Sequence, residues 1–155
     1  MNSDEKWMTF AIKQAIKADN EGEIPVGAVL IKDGQLIAQA HNQPISTNDA
    51  TAHAEIQLLR AAGKHQKNYR LNDTTIYVTL EPCAMCLGAM MHARIARMVF
   101  GTSDPKTGVC GSRADLTTKS FFNHEIEISG GVLERDCKQL LQSFFKSRRK
   151  YNSEV

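Results

Sequence analysis

The fold this sequence predicts is a three-layer α/β/α sandwich, a mixed central sheet of about five strands covered by helices on both faces. Three observations predict it. A helical pattern opens the chain, a hairpin with an Asp33-Gly34 turn follows, and short apolar runs then alternate with helix-length segments. Such alternation puts helices on the faces of a sheet, and a hairpin contributes an antiparallel pair. The 155 residues suit one domain with a full core. No repeat, linker or low-complexity stretch divides residues 1–155.

Trp7, Phe10, Ala11, Gln14, Ala15 and Ala18 recur at helical spacing with one polar exception, so the first helix runs from about Ser3 to Glu21 and stops at Gly22. Ile24 to Ile31 and Gln35 to Ala40 flank Asp33-Gly34, a strong two-residue turn signal. Asn42 to Thr51, rich in Asn, Pro, Ser and Thr, reads as a loop leading into a second helix with Ile56, Leu59 and Ala62. Thr74 to Leu80 reads as a buried strand feeding Pro82, which opens a third helix from Cys83 to Arg94, since the missing proline N–H has no intrahelical acceptor there. A strand from Ile95 to Phe100, a polar loop and a strand from Glu125 to Ile128 come next. The last helix carries Leu133, Cys137, Leu140, Leu141 and Phe144 on one side. Met85, Met90, Met91 and Met98 read as gap-filling core.

Hydrophobic residues make up 42% and charged residues 23%, the balance of an ordinary globular protein. No apolar run nears the roughly 18 residues of a membrane span, and the N-terminus lacks a signal-peptide layout. The expectation is a cytoplasmic protein with no membrane partner. The net charge of +2 does not by itself imply nucleic acid. The tail Phe144-Phe145-Lys146-Ser147-Arg148-Arg149-Lys150 sets four positive charges beside two rings, which suits phosphate contacts or simply a solvated helix end. Four cysteines, two in one tight pair, favour metal or redox chemistry over disulfides in that compartment.

The chemistry concentrates in His53-Ala54-Glu55 and Pro82-Cys83-Ala84-Met85-Cys86. Cys83 and Cys86, three apart at a helix start, present both sulfurs on one face. Unpaired N–H groups and the helix dipole there lower a thiol pKa from its free value of about 8.5, giving the thiolate that binds metal. With His53 they form a sulfur–nitrogen donor set for one zinc ion. Three ligands leave the fourth position open for water, as catalytic rather than structural zinc sites do. Glu55, two positions from His53, does not share its face and is placed to move protons to and from that water. No organic cofactor is required. A redox Cys-x-x-Cys pair has no need of the upstream His-x-Glu. A structural zinc site, as in a binding module without catalysis, would need a fourth ligand from Cys110, Cys137, His92 or His124, and would have no use for Glu55. Cys137 lies on an apolar stripe and reads as core, and Cys110 and the histidines at 41, 65, 92 and 124 as surface or packed residues.

The pattern is similar to that of zinc deaminases acting on nucleosides and nucleobases. Ile24-Pro25-Val26-Gly27-Ala28-Val29, Thr51-Ala52-His53-Ala54-Glu55-Ile56 and Val78 through Cys86 resemble the bacterial tRNA-specific adenosine deaminases. So do Gly88-Ala89-Met90, His92-Ala93-Arg94-Ile95, Val99-Phe100-Gly101 and Asp104-Pro105-Lys106-Thr107-Gly108. The resemblance implies a cytidine deaminase-like fold, one Zn2+ per subunit, a homodimer, and conversion of adenosine to inosine at the wobble position of a tRNA anticodon. It also implies that Asn42 hydrogen-bonds the flipped nucleoside, the Ala54 N–H contacts the base and Val26 lines the pocket. Asp104, Lys106, Arg148 and Arg149 match positions that contact the anticodon stem-loop. Two departures are Ala50, where proline is usual, and His41, where tryptophan is common; both flank Asn42. The zinc motif alone also fits a deaminase of a free base or nucleotide such as guanine or deoxycytidylate. The basic aromatic tail argues for RNA, because a small substrate needs no such surface.

Overall fold

The computed structural model describes the backbone of residues 1–154 and the side chains of residues 1–150. In chain order the elements are α1 (Ser3–Asn20), β1 (Gly27–Lys32), β2 (Gln35–His41), α2 (Pro44–Thr47), α3 (Ala54–Gln66), β3 (Thr74–Leu80), α4 (Ala84–His92), β4 (Arg97–Thr102), β5 (Glu127–Ser129) and α5 (Glu134–Glu154). The five strands form one sheet in the order β2-β1-β3-β4-β5. Strand β1 is antiparallel to both β2 and β3, whereas β3, β4 and β5 run parallel. The expected mixed sheet of five strands is therefore present.

Alternation along the strands divides the core. Ala28, Leu30, Ile76, Val78, Met98 and Phe100 pack with Leu58 and Ala62 of α3 and Leu87 and Met90 of α4. Their neighbours Val29, Ile31, Tyr77 and Val99 pack on the other face with Met8 and Ala11 of α1 and Cys137 of α5. Successive side chains point to opposite faces, and both faces are covered. That is why these strands read as unbroken apolar runs rather than as alternating ones.

Local signals act as the sequence implies at several ends. Asn2 caps α1, its Oδ1 accepting the Glu5 backbone amide at 2.8 Å while its side-chain Nδ2 donates to the Glu5 carboxylate at 3.0 Å. Asp33 and Gly34 take φ of 51° and 71°, the two left-handed positions of a hairpin turn that pairs Lys32 with Gln35.

Several boundaries differ from expectation, each for a local reason. Strand β1 starts at Gly27 rather than Ile24, because Pro25 has no N–H for a ladder and the Val26 amide turns back to the Ile24 carbonyl. Helix α4 starts at Ala84, with Cys83 extended at its N-cap. It ends at His92, because Arg94 turns left-handed at φ 63° and the Ile95 amide closes onto Met90. Strands β4 and β5 consequently begin two residues later than expected. Met85 is 38% exposed rather than core, being in the first turn of α4. Helix α2 lies inside what reads as a loop.

One network ties α1 to the sheet. The Arg97 guanidinium donates twice to Asp4, at 2.8 Å each, and the Tyr77 hydroxyl donates to the same carboxylate at 2.8 Å. Arg97, followed by Tyr77, holds the Asp4 carboxyl below its ordinary 3.8 despite partial burial. A depressed carboxylate stabilises the fold fully above its unfolded value and loses that contribution as pH falls through the folded value. Asp4→Asn should cost about 1.5–3 kcal/mol at neutral pH. The gap between variant and wild type should close as pH drops below 3.8, read by denaturant titration across the acid range.

Candidate metal centre

Topology brings distant residues to one edge of the sheet. Because β1 is antiparallel to both its neighbours, β2 and β3 run in the same direction, and β4 runs with β3. Their C-terminal ends share an edge with the N-terminal end of β1. That edge gathers Ile24 and Val26 before β1, Asn42 after β2, Leu80 at the end of β3 with Glu81 and Cys83 after it, and Asp104 and Thr107 after β4. All line a cavity of about 180 Å³ together with His53 and Glu55 from the start of α3. Ligand sites of open α/β sheets favour the carboxyl ends of strands.

His53 and Cys83 are the N-cap residues of α3 and α4, both extended and neither spending its side chain on a cap. The cap of α3 comes from elsewhere: Asn42 Oδ1 accepts the Ala54 amide at 2.8 Å. This frees the imidazole. His53 Nδ1 lies 3.6 Å from Cys83 Sγ and 3.5 Å from Cys86 Sγ. Sulfur at about 2.3 Å and nitrogen at about 2.0–2.1 Å from a tetrahedral zinc are about 3.6 Å apart, so the donors fit zinc. Among the described residues these three are the His, Cys, Asp or Glu group close enough to hold a metal. Cys137 is buried on the far face of the sheet. His124 Nε2 contacts the Ile95 carbonyl oxygen. The Cys86 thiol facing Cys83 and the nearby His53 imidazole hold the Cys83 thiol well below its ordinary value. The same contact pushes Cys86 up. Donors packed this closely keep a positive charge among them, as a proton or as a metal ion.

Glu55 sits beside this cluster at 4% exposure. Burial, the leading cause, pushes its carboxyl up to about 7. A carboxyl in that range can both take and return a proton near neutral pH. Asn42 and Val26 line the cavity with it. Ala54 does not, being fully buried with its amide committed to Asn42. The resemblance assigns that amide to the base, and the structure gives it to Asn42. Asp104 reaches the cavity while its carboxylate accepts the amides of Lys106 and Thr107 at 3.0 and 3.2 Å; Lys106 is exposed. Arg148 donates to the Gly22 carbonyl at 2.7 Å and stacks over Phe144 at 5.0 Å. Arg149 is exposed beside it.

Sequence reasoning missed Ile24, Leu80, Glu81 and Thr107 in the lining, and also Glu23. Glu23 is 1% exposed and accepts the amides of Ile45 and Ser46 at 3.1 and 2.7 Å, capping α2. Burial works against its charge, yet the Ser46 and Ile45 amides outweigh it and leave the carboxyl below its ordinary value. The one available signal was the charge itself, placed beside apolar runs.

Residues 1–102 match the family described as the cytidine and deoxycytidylate deaminase zinc-binding region. The tRNA-specific adenosine deaminase of Haemophilus influenzae is 51% identical over 147 residues, covering 94% of this chain and 85% of that protein. That of Bacillus subtilis is 45% identical over 150 residues, covering 97% and 93%. A solved structure from a study of A-to-I editing by tRNA:A34 deaminases at the wobble position superposes with a TM-score of 0.86. It is 38% identical over 88% of this chain and 99% of that one.

Proposed function

The chain belongs to the zinc-binding cytidine and deoxycytidylate deaminase family, among the tRNA-specific adenosine deaminases, and from that premise we propose that it hydrolyses adenosine to inosine at the wobble position of a tRNA anticodon. The observation that carries the reading is a buried carboxyl group, Glu55, lining one small cavity with His53 and Cys83 of the three-residue zinc donor set. His53, Cys83 and Cys86 would hold the zinc. Bound there, zinc lowers the pKa of water towards about 7 and so makes hydroxide available.

The chain's own residues do the rest. Glu55 takes the proton of the attacking water and delivers it to N1 of the purine as oxygen adds at C6. It then passes a proton to the amino nitrogen as the C6–N bond breaks, so that adenosine and water give inosine and ammonia. Asn42 spends Oδ1 on the Ala54 amide, which leaves its Nδ2 to donate to the nucleoside. A cavity of about 180 Å³ is below the roughly 300–1,000 Å³ that encloses drug-sized ligands. It takes one extruded base, and an unpaired loop nucleotide is the cheapest base to extrude. The test is to incubate the zinc-loaded protein with an anticodon stem-loop, free adenosine and free guanine. Inosine from the stem-loop alone is the expected result. Equal turnover of free adenosine, or turnover of guanine, would favour a small-molecule deaminase.

Asp104, Lys106, Arg148 and Arg149 are the proposed stem-loop contacts. Each phosphate-neutralising cation steepens the salt dependence of RNA binding. Arg148 is already tied to Gly22 and Phe144, so Arg149→Ala is the cleaner probe. Its binding isotherms should be weaker and the log–log salt slope flatter by about 1, with zinc content unchanged.

A homodimer belongs to the same proposal. Ile56, Leu59, Tyr69, Leu71 and Ala89 line an open apolar groove of about 610 Å³ along α3 and α4, where Tyr69 is 71% exposed. A second copy seated there would press on the two helices that carry the metal donors. Light scattering should return twice the 17.2 kDa chain mass, and Leu59→Glu should shift it to the monomer. Among the described residues no helix is long and apolar enough to cross a membrane, and the proposed substrate is found in the cytoplasm.

A further inference from the structure

Glu81 is a second buried carboxylate on the cavity wall, 2% exposed, and its partners all come from one loop. Oε1 accepts the Asp104 amide at 3.0 Å and the Ser112 hydroxyl. Oε2 accepts the amides of Cys110 and Ser112 at 2.9 and 3.2 Å. Four donors stand in for the water that burial removes, so the charge is satisfied without a cation. The next residue continues the clamp, the Pro82 carbonyl accepting the Val109 amide at 3.1 Å. Gly108 lies against the carboxylate so closely that a Cβ there would sit 2.4 Å from Glu81 Cδ. Asp104 and Thr107 of this loop line the cavity. The run Glu81-Pro82-Cys83 thus grips the loop with its first two residues and offers a metal donor with its third.

We propose that Glu81 is a positioning residue that clamps the 104–112 segment as the substrate-facing wall of the pocket, so that nucleoside fit depends on it while metal binding and proton transfer do not. The inference rests on the deaminase reading. A carboxylate suits this task because its two oxygens accept four bonds at once. Glutamine has the same shape but one oxygen, and its NH2 would face backbone N–H groups.

The test compares wild type with Glu81→Gln, Gly108→Ala and the milder Ser112→Ala. Three quantities are read: steady-state constants on the anticodon stem-loop, zinc content, and hydrogen exchange at the amides of Asp104, Cys110 and Ser112. For Glu81→Gln and Gly108→Ala the expected result is KM raised about tenfold or more, the effect of losing one or more buried hydrogen bonds. kcat should change far less, zinc should stay at the wild-type level, and the three amides should exchange at least about tenfold faster. Ser112→Ala should move in the same direction by less, and it decides the matter if Glu81→Gln does not fold. Unchanged KM and unchanged exchange would overturn the inference, as would zinc and kcat falling together. A wild type that leaves the stem-loop untouched would overturn the functional reading instead, and the exchange data would still decide the clamp.

Discussion

Glu55→Ala should keep its zinc and its fold and lose turnover by about 10²- to 10⁴-fold, the usual contribution of a general acid–base group. A loss at or beyond the upper end is expected, because one carboxylate serves several proton transfers. Glu55 is not among the metal donors, and burial, which raises its carboxyl, outweighs the opposing pull of the His53 imidazole. Removing a buried charge of this kind relieves a desolvation cost. The thermal midpoint should therefore hold or rise while activity collapses, the trade expected where a functional group is kept against stability. Glu55→Gln keeps the shape and should be nearly as inactive. Single-turnover rates, elemental analysis and a melting curve on the same samples decide the point. Near-normal turnover in the alanine variant would move the proton shuttle to another residue.

How much of this was legible in sequence depends on how local the physics is. His53, Glu55, Cys83 and Cys86 could be read because a donor set at two helix starts is written in two short strings. The sheet could be read because both its faces are buried, which leaves unbroken apolar runs such as Ala28 to Ile31. What escaped was long-range. Helix α2 is only four residues long, and its N-terminal amides are held by Glu23, more than 20 residues upstream. No window around Pro44 contains that carboxylate. Glu81 likewise reads as an isolated charge next to the metal motif until the fold brings Asp104, Cys110 and Ser112 to it. The bond from the Ala54 amide to Asn42 Oδ1 also spans a loop, 12 positions apart, and no local pattern marks it. The sequence puts Cys83 at the first helical position, yet it is the extended cap. The shift matters chemically, because it makes both His53 and Cys83 N-caps and turns two helix starts towards one point. Arg148 shows the same limit: a tail that reads as free charge is anchored by contact with Gly22, over a hundred positions away.

Replacing a metal donor should have a larger effect than replacing the proton carrier. Cys86→Ala removes a fully buried sulfur and leaves two donors for an ion that takes four ligands. Zinc content should fall from one per chain to near none, and turnover should drop below that of Glu55→Ala, since without the ion neither hydroxide supply nor charge stabilisation remains. The effect should also show without any assay of activity. A ligand that binds only the folded state raises stability by mass action, so a chelator should lower the melting temperature of wild type and leave that of Cys86→Ala almost unmoved. Cys83→Ala should behave alike, its sulfur lying 3.6 Å from the same imidazole nitrogen. Cys110→Ala is the contrasting case. That thiol is half-buried on the loop after β4 and stands outside the donor group of His53, Cys83 and Cys86. The Cys110→Ala chain should retain one zinc and its chelator response. Loss of zinc there would mean that a fourth protein ligand completes the site, leaving no open position for water, and the hydrolytic reading would then fall with it.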